Sequence, residues 1–272
     1  MRRFAGRRAV VTGASRGIGA AIAERLAAEG AAVALVARTV DHHETLPGSL
    51  NETAARLSTL GATVGLIAAD LTDPDARADV MARAKDALAG PIDILVNNAA
   101  AAMYAPMATY PAKRRRITFE VNVHAPYELV QQALPDMVAA GEGWIVNVSS
   151  ATARHEKGPP FRESFTGSTT GMYGASKAAL NRLTNALGRE LHGTGVRVNT
   201  VEPRAAVMSE GAEALVGGKV TDDMIESMEA MVEATVALCC CDADRTGKVH
   251  VSLDLNDELG LTVMKLDASG PA

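Results

Sequence analysis

Tyr173 and Lys177, in Tyr173-Gly174-Ala175-Ser176-Lys177, are the residues whose types and spacing point most directly to chemistry. Positions i and i+4 share a helix face, so the phenol and the ammonium project together. A free tyrosine titrates near ~10 and supplies protons poorly at neutral pH. A nearby ammonium favours phenolate, so Lys177 is expected to lower the phenol's pKa toward the range where acid–base catalysis is efficient. Such a pair also arises by chance on surface helices, and its meaning depends on what precedes it. Upstream, Val146-Asn147-Val148-Ser149-Ser150 ends an apolar run with two hydroxyls. A serine there can hydrogen-bond a substrate oxygen whose charge changes during reaction; a helix cap or turn is the ordinary alternative.

A glycine-rich stretch heads the chain, Thr12-Gly13-Ala14-Ser15-Arg16-Gly17-Ile18-Gly19. An apolar run enters it and an alanine-rich amphipathic run leaves it, which reads as strand, tight turn and helix. Glycines take positive φ and expose bare backbone, and a helix N-terminus favours an anion. A dinucleotide pyrophosphate is the usual anion at such a turn. Asn97-Asn98-Ala99-Ala100 ends another apolar run, where small residues let a ligand approach or an Asx turn forms. Asn122 sits inside a helical pattern, a poor place for asparagine, tolerable where it kinks the helix or holds a water. Asp70 follows a strand and either accepts an adenine amine or caps the next helix. Arg38 stands where an acid would hold a ribose 2′-hydroxyl. A guanidinium there, joined by Arg16, suits a 2′-phosphate and favours NADP over NAD.

The remaining pattern supplies the elements that position these groups. Strand-length apolar runs fall at 10–12, 33–37, 63–68, 92–96, 144–148, 196–201 and 248–253. Helical patterns separate them at 20–29, 51–60, 74–88, 114–123, 126–140, 172–191 and 221–238. Such alternation predicts an α/β fold, a doubly wound and mostly parallel seven-stranded sheet in one domain spanning 1–272. Segments 151–171 and 204–222 are expected to be substrate-side loops within it.

The chain has 272 residues, 47% hydrophobic and 22% charged, with net charge -5. That balance suits one globular domain and gives no reason to expect nucleic-acid or membrane partners. The basic run Lys113-Arg114-Arg115-Arg116 reads as a solvated helix face. Cys239-Cys240-Cys241 are the three cysteines; adjacent positions suit neither a disulfide framework nor a metal site, so no metal is expected. No apolar run reaches the ~18–20 residues of a membrane span, and a cytoplasmic location is expected.

Taken in order, Thr12 through Gly19, Asp70, Asn97-Asn98-Ala99, Asn122, Ser150 and Tyr173 with Lys177 resemble the motifs of the short-chain dehydrogenase/reductase family, over about residues 5–255. The resemblance implies a Rossmann-type fold and an oxidoreductase that moves a hydride between NADP(H), less so NAD(H), and a small-molecule carbonyl or secondary alcohol. It implies Tyr173 as general acid or base, Lys177 as its modulator and ribose anchor, Ser150 as orienter of the substrate oxygen, and Asn122 as anchor of a relay water. It further implies cofactor contacts from Gly13, Ser15, Arg16, Gly17, Ile18, Gly19, Arg38, Thr39, Asp70, Leu71, Asn97, Ala99, Tyr173, Lys177 and Pro203. A homodimer or homotetramer, with interfaces near 114–140 and 172–191, is implied as well. The alternative reading is a catalytically silent dinucleotide-binding scaffold or regulator.

Four departures qualify the resemblance. The connection 39–51 is long and contains Leu46-Pro47-Gly48-Ser49; with Pro203-Arg204 it is similar to the family's hydroxysteroid-dehydrogenase-like branch. Arg204 stands where the family usually has glycine, so the nicotinamide-side loop is expected to differ. The stretch from Ser150 to Tyr173 is longer than usual, with a flap expected within 154–170. The residues Val251-Ser252-Leu253-Asp254-Leu255 replace the family's usual ending and put its standard C-terminal interface in doubt. Phe161, Phe165, Met208 and Leu215, with Arg162 and Glu163, suggest a mainly apolar substrate pocket.

Overall fold

The structure is a computed structural model that describes residues 2–161, 167–216, 220–221 and 224–272. Seven strands form one sheet in the order β3-β2-β1-β4-β5-β6-β7. They are β1 Arg8–Thr12, β2 Ala32–Ala37, β3 Val64–Ala68, β4 Ile94–Asn97, β5 Gly143–Val148, β6 Val196–Glu202 and β7 Val249–Val251. Every pairing is parallel, including the edge strands, where the sequence suggested a mostly parallel sheet. Strand order reverses between β1 and β4, which opens a crevice at the carboxyl ends of the strands.

Helices cover both faces. Alternate residues of the central strands feed two cores, Val11, Leu35, Ile94 and Val146 toward one side and Val10, Val36, Leu95 and Ile145 toward the other. Strands buried on both faces read as unbroken apolar runs rather than alternating ones. β3, at the edge, is the exception: buried and exposed residues alternate, and Leu66 is exposed.

The helices are α1 Gly17–Ala28, α2 Leu50–Thr59, α3 Pro74–Arg77, α4 Val80–Ala87, α5 Ala112–Phe119, α6 Ala125–Ala140, α7 Gly171–Glu190, α8 Glu210–Val216, α9 Met228–Leu238 and α10 Ser252–Leu259. Several depart from expectation. The pattern 74–88 is two helices. At the break, Gln132 of α6 donates to the Arg77 carbonyl and accepts from the Met81 amide, and buried Arg77 pairs with Glu120 and Glu128. Among the described residues of the pattern 221–238, the α-helix begins at Met228, with Ser227 as its cap. Residues 224–226 pair instead with Ala206. The strand expected at 248–253 ends at Val251, and Ser252 opens α10. Beyond α10 the chain folds back, and Met264 and Lys265 reach buried Arg25 and Glu233.

Candidate active site

The glycine turn leaves the end of β1 at the crevice. Gly13 holds φ +67, and Asn98 lies against it, donating Nδ2 to the carbonyls of Thr12 and Gly13. A Cβ on Gly19 would overlap both the Asn98 amide and the Gly13 carbonyl. Gly19→Ala is therefore expected to cost about 1–3 kcal/mol through forced backbone shifts and to weaken dinucleotide binding. Thermal melts and a cofactor titration check both; an unchanged melting temperature would contradict the packing described. α1 starts at this turn with no side-chain cap and no acid in its first turn, so its N-terminal amides remain suited to an anion.

Arg16 donates Nε to the Pro47 carbonyl and Nη2 to the Gly48 carbonyl, both at 2.8 Å. The long connection after β2 thus closes over the glycine turn and holds this guanidinium. Burial is the main cause that lowers the Arg16 pKa, and nearby Arg38 adds to it against the opposing pull of Glu210. Arg38 is mostly exposed and stands 3.9 Å from Asp70. The Asp70 Oδ1 accepts from the Thr72 amide and hydroxyl, so this acid also forms a local turn. Thr39 is buried, Leu71 is buried, and Ser15 and Ile18 belong to the turn and first helical turn.

Two adjacent asparagines divide between two faces. Asn97 does not face the crevice: its Nδ2 donates to Asn147 Oδ1 at 2.9 Å, and Asn147 continues to Thr184, which also meets Thr200. This buried chain ties β4, β5 and β6 to α7. Asn98 takes the groove side instead. Ala99 joins it there, and the amides of both donate to Thr12 Oγ1 at 3.0 Å. Thr12 and Asn98 stand in the motifs read from the sequence, but no role of their own was assigned to them there. Strand alternation was the available signal, because neighbours in an extended segment point to opposite faces.

Asn122 lies in a π-helical turn, Glu120–His124, between α5 and α6. The kink expected from a mid-helix asparagine takes this form. Its side chain is fully buried: Oδ1 accepts from the Ala101 amide at 2.8 Å, and Nδ2 donates to Ser176 Oγ at 2.9 Å. Ser176 in turn donates to the Tyr173 carbonyl, so Asn122 steadies the first turn of α7.

Ser150, Tyr173 and Lys177 come together at the carboxyl end of β5. Ser150 caps the short 3-10 turn Ala151–Ala153, and this turn packs so closely on α7 that a Cβ on Gly174 would strike the Thr152 carbonyl. That contact sets the Ser150 hydroxyl, which accepts from the Thr152 amide and hydroxyl, close enough to the Tyr173 phenol to favour its phenolate form. Tyr104 tilts against Tyr173 with ring centroids 5.9 Å apart. Lys177 is 2% exposed, donates Nζ to the Val148 carbonyl at 2.7 Å, and lies 5.8 Å from the Tyr173 ring centroid.

The electrostatics correct one expectation. Burial pushes the Tyr173 phenol above the ordinary tyrosine range, with Tyr104 adding to the rise and the Ser150 hydroxyl opposing it. Burial also lowers Lys177 to about 8. The ammonium is turned to a backbone carbonyl, and desolvation acts on both groups against their charged forms.

The loop after β6 accommodates Arg204 without glycine's conformational freedom. Among the described residues only Ala89 and Ala268 combine a side chain with positive φ. Instead, buried Glu226 accepts the Arg204 and Ala205 amides at 2.7 and 3.2 Å and the Ser252 hydroxyl at 2.6 Å. The Arg204 guanidinium pairs with Asp254 and Asp257 of α10. Pro203 is thereby fixed at the crevice edge. Arg162, Glu163 and Phe165 lie outside the described residues, and Phe161 and Leu215 are exposed.

A parallel seven-stranded sheet, helices on both faces and a glycine turn at its switch point define a Rossmann-like α/β domain. The description "short chain dehydrogenase" belongs to the family pattern that matches residues 7–216. The ketoacyl reductase HetN of Nostoc sp. is 34% identical over 203 residues, covering 75% of this chain and 64% of that protein. Hydroxysteroid dehydrogenase-like protein 2 of Danio rerio is 28% identical over 259 residues, covering 95% of this chain and 60% of that protein. Both matches span less than two thirds of those relatives' length. A solved 3-oxoacyl (acyl-carrier-protein) reductase from Agrobacterium tumefaciens with NADP bound is similar at 32% identity and a TM-score of 0.75, covering 91% of this chain and 93% of that one. The chain belongs to the short-chain dehydrogenase/reductase family of oxidoreductases.

Proposed function

We propose that this protein is an NADP(H)-dependent oxidoreductase acting on a carbonyl or secondary alcohol. The observation that carries this reading is the grouping of Ser150, Tyr173 and Lys177 beside the crevice that the glycine turn opens into. The residues fit a phosphorylated dinucleotide: Gly13 and Gly19 leave room only for backbone, the α1 N-terminus is uncapped by side chains, and Arg38 stands exposed at the end of β2. Gly13, Ser15, Gly17, Ile18 and Gly19 would hold the pyrophosphate, Arg16, Arg38 and Thr39 the adenosine ribose, and Asp70 and Leu71 the adenine. Ala99, Tyr173, Lys177 and Pro203 would flank the nicotinamide side, with Asn97 supporting them from beneath. The bound nicotinamide supplies or accepts the hydride.

The chain's own residues handle the proton. Ser150 donates to the substrate oxygen and orients it. Tyr173 delivers its proton to that oxygen in the reducing direction. A phenol held above its ordinary pKa keeps that proton at neutral pH, which suits an acid more than a base. Lys177 would bind the ribose hydroxyls and restore the phenol's proton. The Asn122 side chain is committed to Ala101 and Ser176, so its backbone carbonyl is the group left for a relay water. Segments 151–171 and 204–222 would shape the substrate pocket. A cytoplasmic homodimer or homotetramer, formed through α5, α6 and α7, completes the proposal.

The test is NADPH consumption across a panel of carbonyl compounds. Binding of NADPH with no turnover anywhere in a broad panel would support a silent scaffold instead. Arg38→Ala is expected to raise the KM for NADPH by about 10-fold or more, from loss of a charge-assisted phosphate contact, and to leave the KM for NADH within about twofold. Parallel loss with both cofactors would remove Arg38 from the 2′-phosphate site.

A further inference from the structure

The loop after Ser150 is tied to the sheet by one ion pair. Arg154 sends Nε to Glu202 Oε1 at 2.6 Å. The partners are unequally placed: the Glu202 side chain is 2% exposed and that of Arg154 is 48% exposed. Glu202 is the last residue of β6, and Ser149 stands beside it, since Val148 pairs with Val201 and the Ser149 amide donates to the Val201 carbonyl. By strand alternation both share the sheet face of Asn147 and Thr200, which meet α7 at Thr184. That face also carries Lys177. Among the described residues, Ser149 Oγ and Glu202 Oε2 are buried without a hydrogen-bond partner.

We propose that Arg154 is the receptor for an oxyanion on the substrate, a carboxylate or a phosphate, with Glu202 orienting the guanidinium from behind. This rests on the oxidoreductase reading and narrows its substrate class to anionic carbonyl compounds. Exposed ion pairs contribute little stability. Burying a carboxylate with one oxygen unpartnered is costly, so a plain tether does not account for this arrangement. The pair has a direction, with its negative end inside and its positive end outside. Glu202 engages Nε, and among the described residues no hydrogen bond engages the Nη nitrogens. Those two nitrogens form the planar edge that grips carboxylate or phosphate oxygens in pairs. Aromatic and apolar side chains stand at the start of α7: Tyr104 tilts against Tyr173, and Met107 lies beside Gly171. A substrate with an apolar body, a reactive carbonyl at Tyr173 and an oxyanion at Arg154 matches these groups.

The test compares kcat/KM with NADPH for matched pairs: a medium-chain oxo carboxylic acid and its methyl ester, and a keto alcohol and its phosphate ester. Wild-type protein is expected to favour the anionic member of one pair by about 10- to 100-fold, the range for a charge-assisted paired contact. The pair that shows the preference separates carboxylate from phosphate. Arg154→Gln is expected to erase that ratio, and Arg154→Lys to keep part of it. Equal values within both pairs for wild type overturn the proposal. Loss of both members alike in Arg154→Gln also overturns it, because a tether predicts that result. Calorimetric titration of the same compounds into wild-type and Arg154→Gln protein, with and without NADP, repeats the comparison without turnover. No turnover with any compound would strike the oxidoreductase reading alone, and the calorimetric ratio would still decide the role of Arg154.

Discussion

Tyr173→Phe is expected to lower kcat by about 10²- to 10⁴-fold, the usual contribution of a positioned general acid, while the dissociation constant for NADPH stays within about threefold. The phenol hydroxyl meets Ser150 and the ring meets Tyr104. Phenylalanine preserves the ring contact and deletes only the proton-bearing atom. Loss confined to kcat separates proton delivery from cofactor binding. Stopped-flow hydride transfer and a fluorescence titration of NADPH measure the two quantities. Turnover retained within tenfold would exclude Tyr173 as the proton donor.

Lys177→Met is expected to abolish turnover and yet stabilise the fold at neutral pH. Lys177 is 2% exposed, and burial lowers its pKa from 10.5 to about 8. Between these values the unfolded chain binds the proton and the folded protein does not, so stability rises with pH through that window. Below about pH 8 the folded state carries the whole penalty of a desolvated ammonium, at most about 3 kcal/mol. Methionine removes that penalty and loses one hydrogen bond to the Val148 carbonyl, worth about 1 kcal/mol. The net gain is about 1–2 kcal/mol at pH 7, a rise of roughly 2–8 °C for a domain of this size. The gain should vanish above about pH 10.5, where the wild-type amine has lost its proton in the unfolded chain as well as in the folded protein. Melts at the two pH values check the sign, and a variant less stable than wild type at both would refute it. Wild-type turnover that depends on the ammonium should fall above about pH 8.

The two charge shifts mark where sequence reasoning ended. The i and i+4 spacing put Tyr173 and Lys177 on one helix face, and they are there. Spacing said nothing of which partner the ammonium would choose. The carbonyl of Val148, on a strand remote in sequence, takes it, and the dielectric around both groups is set by packing. Desolvation therefore governs the phenol, and the expected lowering reverses. Asn97 and Asn98 show the same boundary. The pair was legible as strand end and small-residue approach, but their exchange of roles depends on which face of β4 meets Asn147.

Patterns carried by neighbours along the chain were readable from the residues alone. The apolar runs, the glycine turn and the order of strand and helix all follow from local propensity and periodicity. Features made by residues far apart in sequence were not. Gln132 splits the helix expected at 74–88 by satisfying the backbone groups on either side of the break. Glu226 clamps the amides that follow Pro203, and residues 224–226 leave the expected helix to pair with Ala206. Glu202 meets Arg154 across 48 positions. The sequence thus determined the class of fold and which chemistry-bearing residues share a helix face or a strand end, because those depend on side-chain type and local period. Tertiary structure decided their charge states, their hydrogen-bond partners and the ends of several helices, because each depends on burial and on contacts that no local window contains.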